Sequence, residues 1–447
     1  MLKSASSILL LLIPLLVSMP APLAAQAPGL DQELESLAAG VESKVVTWRR
    51  DIHQHPELGN REFRTAALVE AHLRSLGIEV QTGVAHTGVV GVLRGGRPGP
   101  VVALRADMDG LPVTERVDLP FASRVRAQYN GEEVGVMHAC GHDTHVAILM
   151  GVAEVLAAVR ERIPGTVKFI FQPAEEGPPA GEEGGAELMV KEGVLQNPSV
   201  DAAFALHISS LGEVGNIYYT PRGTYASADD FRMVVRGKQT HGGYPWNGVD
   251  PIVASAQIIS ALQSVVSRQM NLIENPAVVT VGKIEGGVRS NIIPEQVEML
   301  GTVRALDPED RTLLHQRIRR VVSGVAEGMG VTVDIQLPYT TAYPVTFNDP
   351  ELTEEMLPVL RAVAGADRVH LRRPVTGAED FSFIANEVPG FYIGLGGRPP
   401  HIAEADAPPH HTPEFYVDDS GLGLGVRAMT AMALQYLAAR EVTAAAH

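Results

Sequence analysis

Apolar positions recur at helical spacing over residues 31–76, interrupted at Pro56 and Gly59. From Arg61 the spacing holds until Gly77 stops it. Residues 101–106 form a short apolar run behind Gly99-Pro100, which predicts a buried strand. Residues 146–159 are apolar on nearly every face, so they predict a buried helix that Pro164-Gly165 ends. Further strands are predicted at 167–171, 202–206 and 391–395. Continuous apolar strands alternating with helices predict an α/β fold, with a mixed, mainly parallel sheet covered on both faces.

The pattern changes over residues 226–337. Phe231, Met233 and Val235 alternate as a half-exposed strand does. Asp250-Pro251 reads as an N-cap with proline at the first helical position, and Ile252, Ile259, Leu262 and Val266 fall on one face of the helix that follows. Strands follow at 278–284 and 297–303. Asp307-Pro308 opens a second helix carrying Leu314, Ile318, Val321 and Val325, and a strand at 331–335 closes the set. The order β-α-β-β-α-β is the ferredoxin-like arrangement. This predicts a small α+β domain, 226–337, inserted into a larger domain made of 26–225 and 338–447.

The first segment reads as an address. Lys3, an apolar run over 8–17 and Leu23-Ala24-Ala25 have the order of a secretory signal peptide cut near Ala25. Ten apolar residues are too few to span a bilayer comfortably; a membrane anchor is the other reading. Export to a periplasm or the medium is therefore expected. No second stretch is long enough to cross a membrane. The 447 residues carry 36 basic and 52 acidic side chains, a net charge of −16, which speaks against nucleic acid or an anionic membrane as a partner. The single cysteine cannot form an internal disulfide and needs another explanation.

That cysteine sits in one of four polar clusters near predicted strand ends. Asp107-Met108-Asp109 follows one strand, Pro173-Ala174-Glu175-Glu176-Gly177 a second and His207 a third; His138-Ala-Cys140-Gly-His142-Asp143 precedes the buried helix. The carboxyl ends of strands in an open α/β sheet form the ligand crevice. Thiolate, imidazole and carboxylate together are the ligand set of zinc-like ions. Taken singly, each cluster has a plain reading: an inert buried cysteine, a solvated acidic turn, a strand-end histidine. Adjacent Glu175 and Glu176 point opposite ways on an extended segment, so one can face a metal and the other the substrate. His410-His411 is a pair the residues alone do not separate. His53, His55, His72 and His86 read as solvated, His145 as a competing ligand, and Asp107 equally as structural or as support for a ligand.

The stretches MHACGHDTH (137–145), FQPAEEG (171–177), LH (206–207), RADMDGLP (105–112), NIIPE (291–295), GTVR (301–304), GAEDFS (377–382) and HTPEF (411–415) resemble the two-metal aminoacylase and carboxypeptidase family of amidohydrolases. The branch of hippurate and auxin-conjugate hydrolases is the most similar. The matches keep family order over about 45–440. The resemblance implies metal ligands at Cys140, His142, Glu176, His207 and His411, and a general base at Glu175. It implies that the insert is a lid and dimerisation domain, with His241 reaching into the site of a second subunit, and that Asn291 and Arg304 hold a substrate carboxylate. Asp109 stands where the wider family has the aspartate of His-x-Asp, here Asp107-Met108-Asp109, and is expected to orient a ligand. His241-Gly-Gly-Tyr-Pro-Trp246 departs from the two alanines common after the lid histidine, which leaves substrate preference open.

The expected cofactor is two divalent ions per subunit, zinc on the donor set, with manganese or cobalt open. The expected reaction is hydrolysis of an N-acyl-L-amino acid by metal-activated water with Glu175 as base, in a homodimer; a dipeptidase or carboxypeptidase is the alternative. Two other classes compete: an exported non-catalytic binder, and a thiol hydrolase using Cys140 with His142 or His145.

Overall fold

The structure, a computed structural model, describes residues 32–444 apart from 275 and 341. The predicted signal peptide lies outside the described residues. Helices α1 (Gln32–Gln54) and α2 (Phe63–Ser75) lead into a hairpin, β1 (Glu79–Val84) and β2 (Gly88–Arg94), then β3 (Arg97–Asp107). Next come α3 (His142–Ala158), β4 (Pro164–Gln172), β5 (Ala202–Glu213) and β6 (Ile217–Tyr219). The insert holds β7 (Ala228–Arg236), α4 (Pro251–Gln269), β8 (Ala277–Gly286), β9 (Gln296–Ala305), α5 (Pro308–Met329) and β10 (Thr332–Gln336). Then follow α6 (Pro350–Ala364), β11 (Val369–Leu371), β12 (Gly390–Arg398) and α7 (Leu422–Ala444).

The main sheet has the order β1-β2-β4-β3-β5-β12-β6-β11. Its four middle strands, β4, β3, β5 and β12, are mutually parallel. β1 and β2 join antiparallel at one edge, and β6 runs antiparallel to β12 near the other. Every residue of β4 is buried, as its unbroken apolar run requires. Helix α3 buries 14 of its 17 residues, which is why it is apolar all round.

The insert pairs β8-β9-β7-β10 antiparallel, the ferredoxin-like strand order. Asp250 and Asp307 cap α4 and α5, each accepting two backbone N–H groups. The buried faces differ slightly from the predicted ones. In α4, Ala254, Ile258, Leu262 and Val265 are buried while Ile252 is exposed; in α5, Val322 and Ala326 lie deeper than Val321 and Val325. Two of the predicted element ends also shift. Pro164-Gly165 opens β4, and β5 runs on to Glu213, so His207 stands within a strand. Among the described residues, no helix is long and apolar enough to cross a membrane.

Candidate active site

The chain passes from β3 to β4 on one side, then crosses to β5 on the other, which makes the carboxyl end of β3 a topological switch point. Asp107 ends β3 in register with Gln172, the last residue of β4. Residues 173–176 turn over this edge. Gly141 takes φ +94°, and a Cβ there would stand 2.3 Å from Ile208 Cγ2. Glycine alone can therefore carry the chain from Cys140 into α3, whose first residue is His142.

The five predicted ligands meet here. Candidate ligand atoms of Cys140, His142 and His207 lie within 4.8 Å of one another, as do those of Cys140, Glu176 and His411. Cys140 belongs to both groups. Its Sγ is 3.4 Å from His207 Nε2 and 3.3 Å from His411 Nε2, and His411 Nε2 is 2.9 Å from Glu176 Oε1.

Hydrogen bonds fix which nitrogens are free. His142 Nδ1 faces the Asp109 carbonyl at 3.0 Å and its Oδ1 at 3.1 Å, so it carries the proton, and the buried Nε2 has no partner. His207 Nδ1 donates to the Ile208 carbonyl at 2.6 Å, which turns a bare Nε2 toward Cys140. Asp109 Oδ2 also accepts the Glu176 N–H at 3.0 Å, so this one carboxylate orients two predicted ligands. A bare, buried His142 Nε2, with His207 Nε2, His411 Nε2, the Cys140 sulfur and a Glu176 oxygen crowded at shared points, fits a pair of cations.

Two neighbouring histidines are excluded by the same logic. His145 Nδ1 lies 2.5 Å from Asp107 Oδ1 and its Nε2 accepts the Ile208 N–H at 2.8 Å, so both nitrogens are taken. His410 Nε2 accepts the Ser210 N–H at 3.2 Å, which leaves Nδ1 carrying the proton, 3.6 Å from the Cys140 sulfur. His411 is the member of the pair whose nitrogen faces the cluster, from a backbone at φ +63°.

The cluster is strongly electronegative. Burial opposes a charge on His142, yet Asp107 and Asp109 push its pKa up to about 10, so a proton or a cation belongs at that nitrogen. Burial, with Glu379, Glu176 and Asp380, raises the Glu175 carboxyl well above its usual range. Burial and the Glu176 and Glu175 carboxylates push the Cys140 thiol well above its usual range, and a bound cation would bring it down. No hydrogen bond joins Cys140 to His142 or His145 among the described residues, so the thiol-hydrolase reading lacks its dyad.

Glu175 stands beside the predicted ligands; among the described residues its carboxylate accepts one weak hydrogen bond, from the Asp380 N–H at 3.4 Å, while its carbonyl accepts the Tyr343 hydroxyl at 3.0 Å, and its Oε2 is 3.8 Å from His142 Nε2. Behind it Arg105, fully buried, binds Asp107, Glu379 and Asp380. Burial alone would raise the Asp107 pKa, but Arg105, His142 and His145 hold it well below the carboxylate range. Asp107 is therefore a charged support for the site's floor.

The cavity at the cluster, about 320 Å³, is lined by residues of the larger domain. His241, Asn291 and Arg304 are not among them. His241 is exposed, accepts the Gly243 N–H at 2.9 Å, and lies beside Asn291, whose carbonyl accepts the Gly242 N–H at 2.8 Å; Arg304 is half-buried in β9. The structure brings the five predicted ligands, Glu175 and Asp109 together, and leaves these three on the insert.

Sequence reasoning misread His53 and passed over Glu62. His53 is buried, not solvated, bound to Asp143 at 2.8 Å and Glu115 at 3.3 Å. It lies on the face of α1 that packs against α3, and Asp143 next to His142 supplies the partner that makes its burial tolerable. Glu62, also buried, accepts the N–H of Ala174 at 2.9 Å and the Thr87 hydroxyl, and so pins the residue before Glu175 at φ +51°. No periodicity marks Glu62. Arg105 did leave a signal, a charge inside an apolar strand, which requires partners.

A sheet edge that gathers this donor set beside a buried glutamate, in a chain with a ferredoxin-like insert, defines a hydrolase of amide or peptide bonds. Residues 103–435 match peptidase family M20/M25/M40, and the chain belongs to it. It is 40% identical over 407 residues to thermostable carboxypeptidase 2 of Saccharolobus solfataricus, covering 91% of this chain and 98% of that protein. It is 36% identical over 395 residues to IAA-amino acid hydrolase ILR1-like 2 of Arabidopsis thaliana, covering 88% and 85%. Among solved structures it resembles the YXEP protein of Bacillus subtilis, a dinuclear metal binding peptidase, with TM-score 0.74 and 33% identity over 90% of this chain and 99% of that one.

Proposed function

We propose that the protein hydrolyses N-acyl-L-amino acids to a carboxylic acid and a free amino acid. The observation that carries this reading is a buried Glu175 beside two ligand groups that share Cys140. The donors for two divalent ions, zinc by their chemistry, are Cys140, His142, Glu176, His207 and His411. Ions bound there would lower the pKa of a water and polarise the scissile carbonyl.

Glu175 takes the proton of the attacking water and returns it to the leaving nitrogen, since an amide anion leaves poorly. Burial and the Glu379, Glu176 and Asp380 carboxylates raise its pKa, and cations bound beside it would offset that and leave it free to take the proton. Asp109 keeps His142 and Glu176 in orientation throughout. In a homodimer, His241 of the second subunit's insert holds the developing oxyanion, and Asn291 with Arg304 grips the free carboxylate next to the amide. Insert closure brings these groups to the cavity and excludes water.

The likeness to an IAA-amino acid hydrolase supports an acyl amino acid as substrate. The 40% identity to a carboxypeptidase favours a second reading, in which short peptides are cut at a carboxylate-bearing residue. A panel of N-acyl amino acids, dipeptides and their carboxamides separates them. Cleavage of the acyl amino acids, and loss of rate on the carboxamides, is expected; cleavage of dipeptides alone would overturn the first reading. Export is also proposed, and would give a mature chain beginning near Gln26.

A further inference from the structure

Guanidinium groups inside the larger domain find partners. Arg49 pairs with Asp143 and Asp419, Arg105 with three carboxylates, and Arg398 with Glu213. Arg372 does not. It is half-buried in the wall of the cavity that holds Cys140, Glu175 and His207, and its side chain makes no hydrogen bond, ion pair or ring contact among the described residues. A partly desolvated cation without a partner is costly, and the cost is relieved when a ligand brings the anion.

The position is a fixed one. Arg372 follows β11, which runs parallel to β6. Its N–H donates to the Tyr219 carbonyl at 2.7 Å, and its own carbonyl accepts the Thr220 hydroxyl at 2.9 Å. Tyr225, Arg372, Val375 and Gly394 line both the catalytic cavity and a smaller neighbouring chamber walled by Tyr218 and Tyr392. Arg372 thus stands at the junction of the two, and Ile208, Leu211 and Val375 add apolar side chains to the wall of the catalytic cavity.

On the proposed function, on which this inference rests, the amino-acid half of the substrate is held by Asn291 and Arg304 of the insert. No insert residue lines the cavity beside Arg372, so this cation is left for the acyl half. We propose that the preferred acyl group carries a terminal carboxylate that Arg372 binds. The substrate class is then N-(ω-carboxyacyl) amino acids, of which N-succinyl derivatives are the short case. The methylenes lie on the apolar wall, and the planar guanidinium takes the carboxylate by paired N–H donors.

The test compares the N-succinyl, N-succinamoyl and N-acetyl derivatives of one amino acid, using the full-length zinc-loaded protein. Succinamoyl has the shape of succinyl without its charge. The expected result is a succinyl preference of roughly tenfold to a hundredfold in kcat/KM over succinamoyl, the worth of a charged hydrogen bond. Arg372→Gln should bring that ratio close to one, mainly through KM, and Arg372→Lys should keep part of it. Equal cleavage of succinyl and succinamoyl by the wild type would overturn the proposal. So would an Arg372→Gln variant that slows all three substrates alike, since a shared carboxylate or the fold itself would then be what Arg372 serves. If the metal-loaded wild type cleaves none of the three, the amidohydrolase reading falls first and takes this inference with it.

Discussion

His410 Nε2 accepts the backbone N–H of Ser210 at 3.2 Å, whereas Nε2 of its neighbour His411 lies 2.9 Å from Glu176 Oε1. A backbone N–H can only donate, so the proton of neutral His410 sits on Nδ1, against the Cys140 sulfur. The two adjacent histidines are thereby set apart: His411 faces the predicted ligands and His410 packs behind Cys140. His411→Ala should abolish tight binding of one ion, while His410→Ala should weaken metal affinity by only about 10–100-fold. Zinc titration of both variants after chelation checks this.

Glu175→Gln keeps the shape and removes the base. It should retain the metal content of the wild type and lose roughly 10²–10⁴ in kcat or more. Unchanged turnover would remove Glu175 from the mechanism.

Arg105 is the cation that binds three buried carboxylates under the site. Arg105→Met leaves them facing one another, and removing one partner of a buried ion pair costs about 3–5 kcal/mol. Urea unfolding of the purified variant should show a loss of that size.

His138 is buried, and neither ring nitrogen has a hydrogen-bond partner among the described residues. Burial pulls its pKa down from 6.5 to about 4. As pH falls through 6.5 the unfolded chain takes up a proton that the folded chain refuses until about pH 4. Stability is therefore full above pH 6.5 and declines across that window, by roughly 3 kcal/mol from this group. His138→Leu should flatten the decline, measured as unfolding free energy between pH 7 and 4.

The elements that position the site are legible in the sequence because burial writes directly into composition. β4 and α3 have no solvent face, so their runs are unbroken, and Asp250-Pro251 and Asp307-Pro308 announce two helices by capping chemistry alone. Convergence of the Asp107 and Glu175 clusters follows from their places at the ends of β3 and β4. What the sequence hides is pairing at a distance. The β1–β2 hairpin joins the sheet at an edge, with a mostly exposed β1 that shows no alternation. His53 looks like a surface histidine until Asp143, 90 positions away, is seen to bind it. Glu62 and Ala174 meet across 112 positions. The split between His410 and His411 depends on the Ser210 amide, which no spacing rule could supply.

On the proposed function, five side chains hold two divalent ions with Cys140 common to both. Metal content per subunit, measured on purified wild type and on Cys140→Ala beside an amide-hydrolysis assay, tests it most directly. Two ions in the wild type, with both ions and activity falling away in Cys140→Ala, is the predicted result. Full activity at one ion or none per subunit, or a Cys140→Ala variant that keeps both ions and its rate, would contradict it.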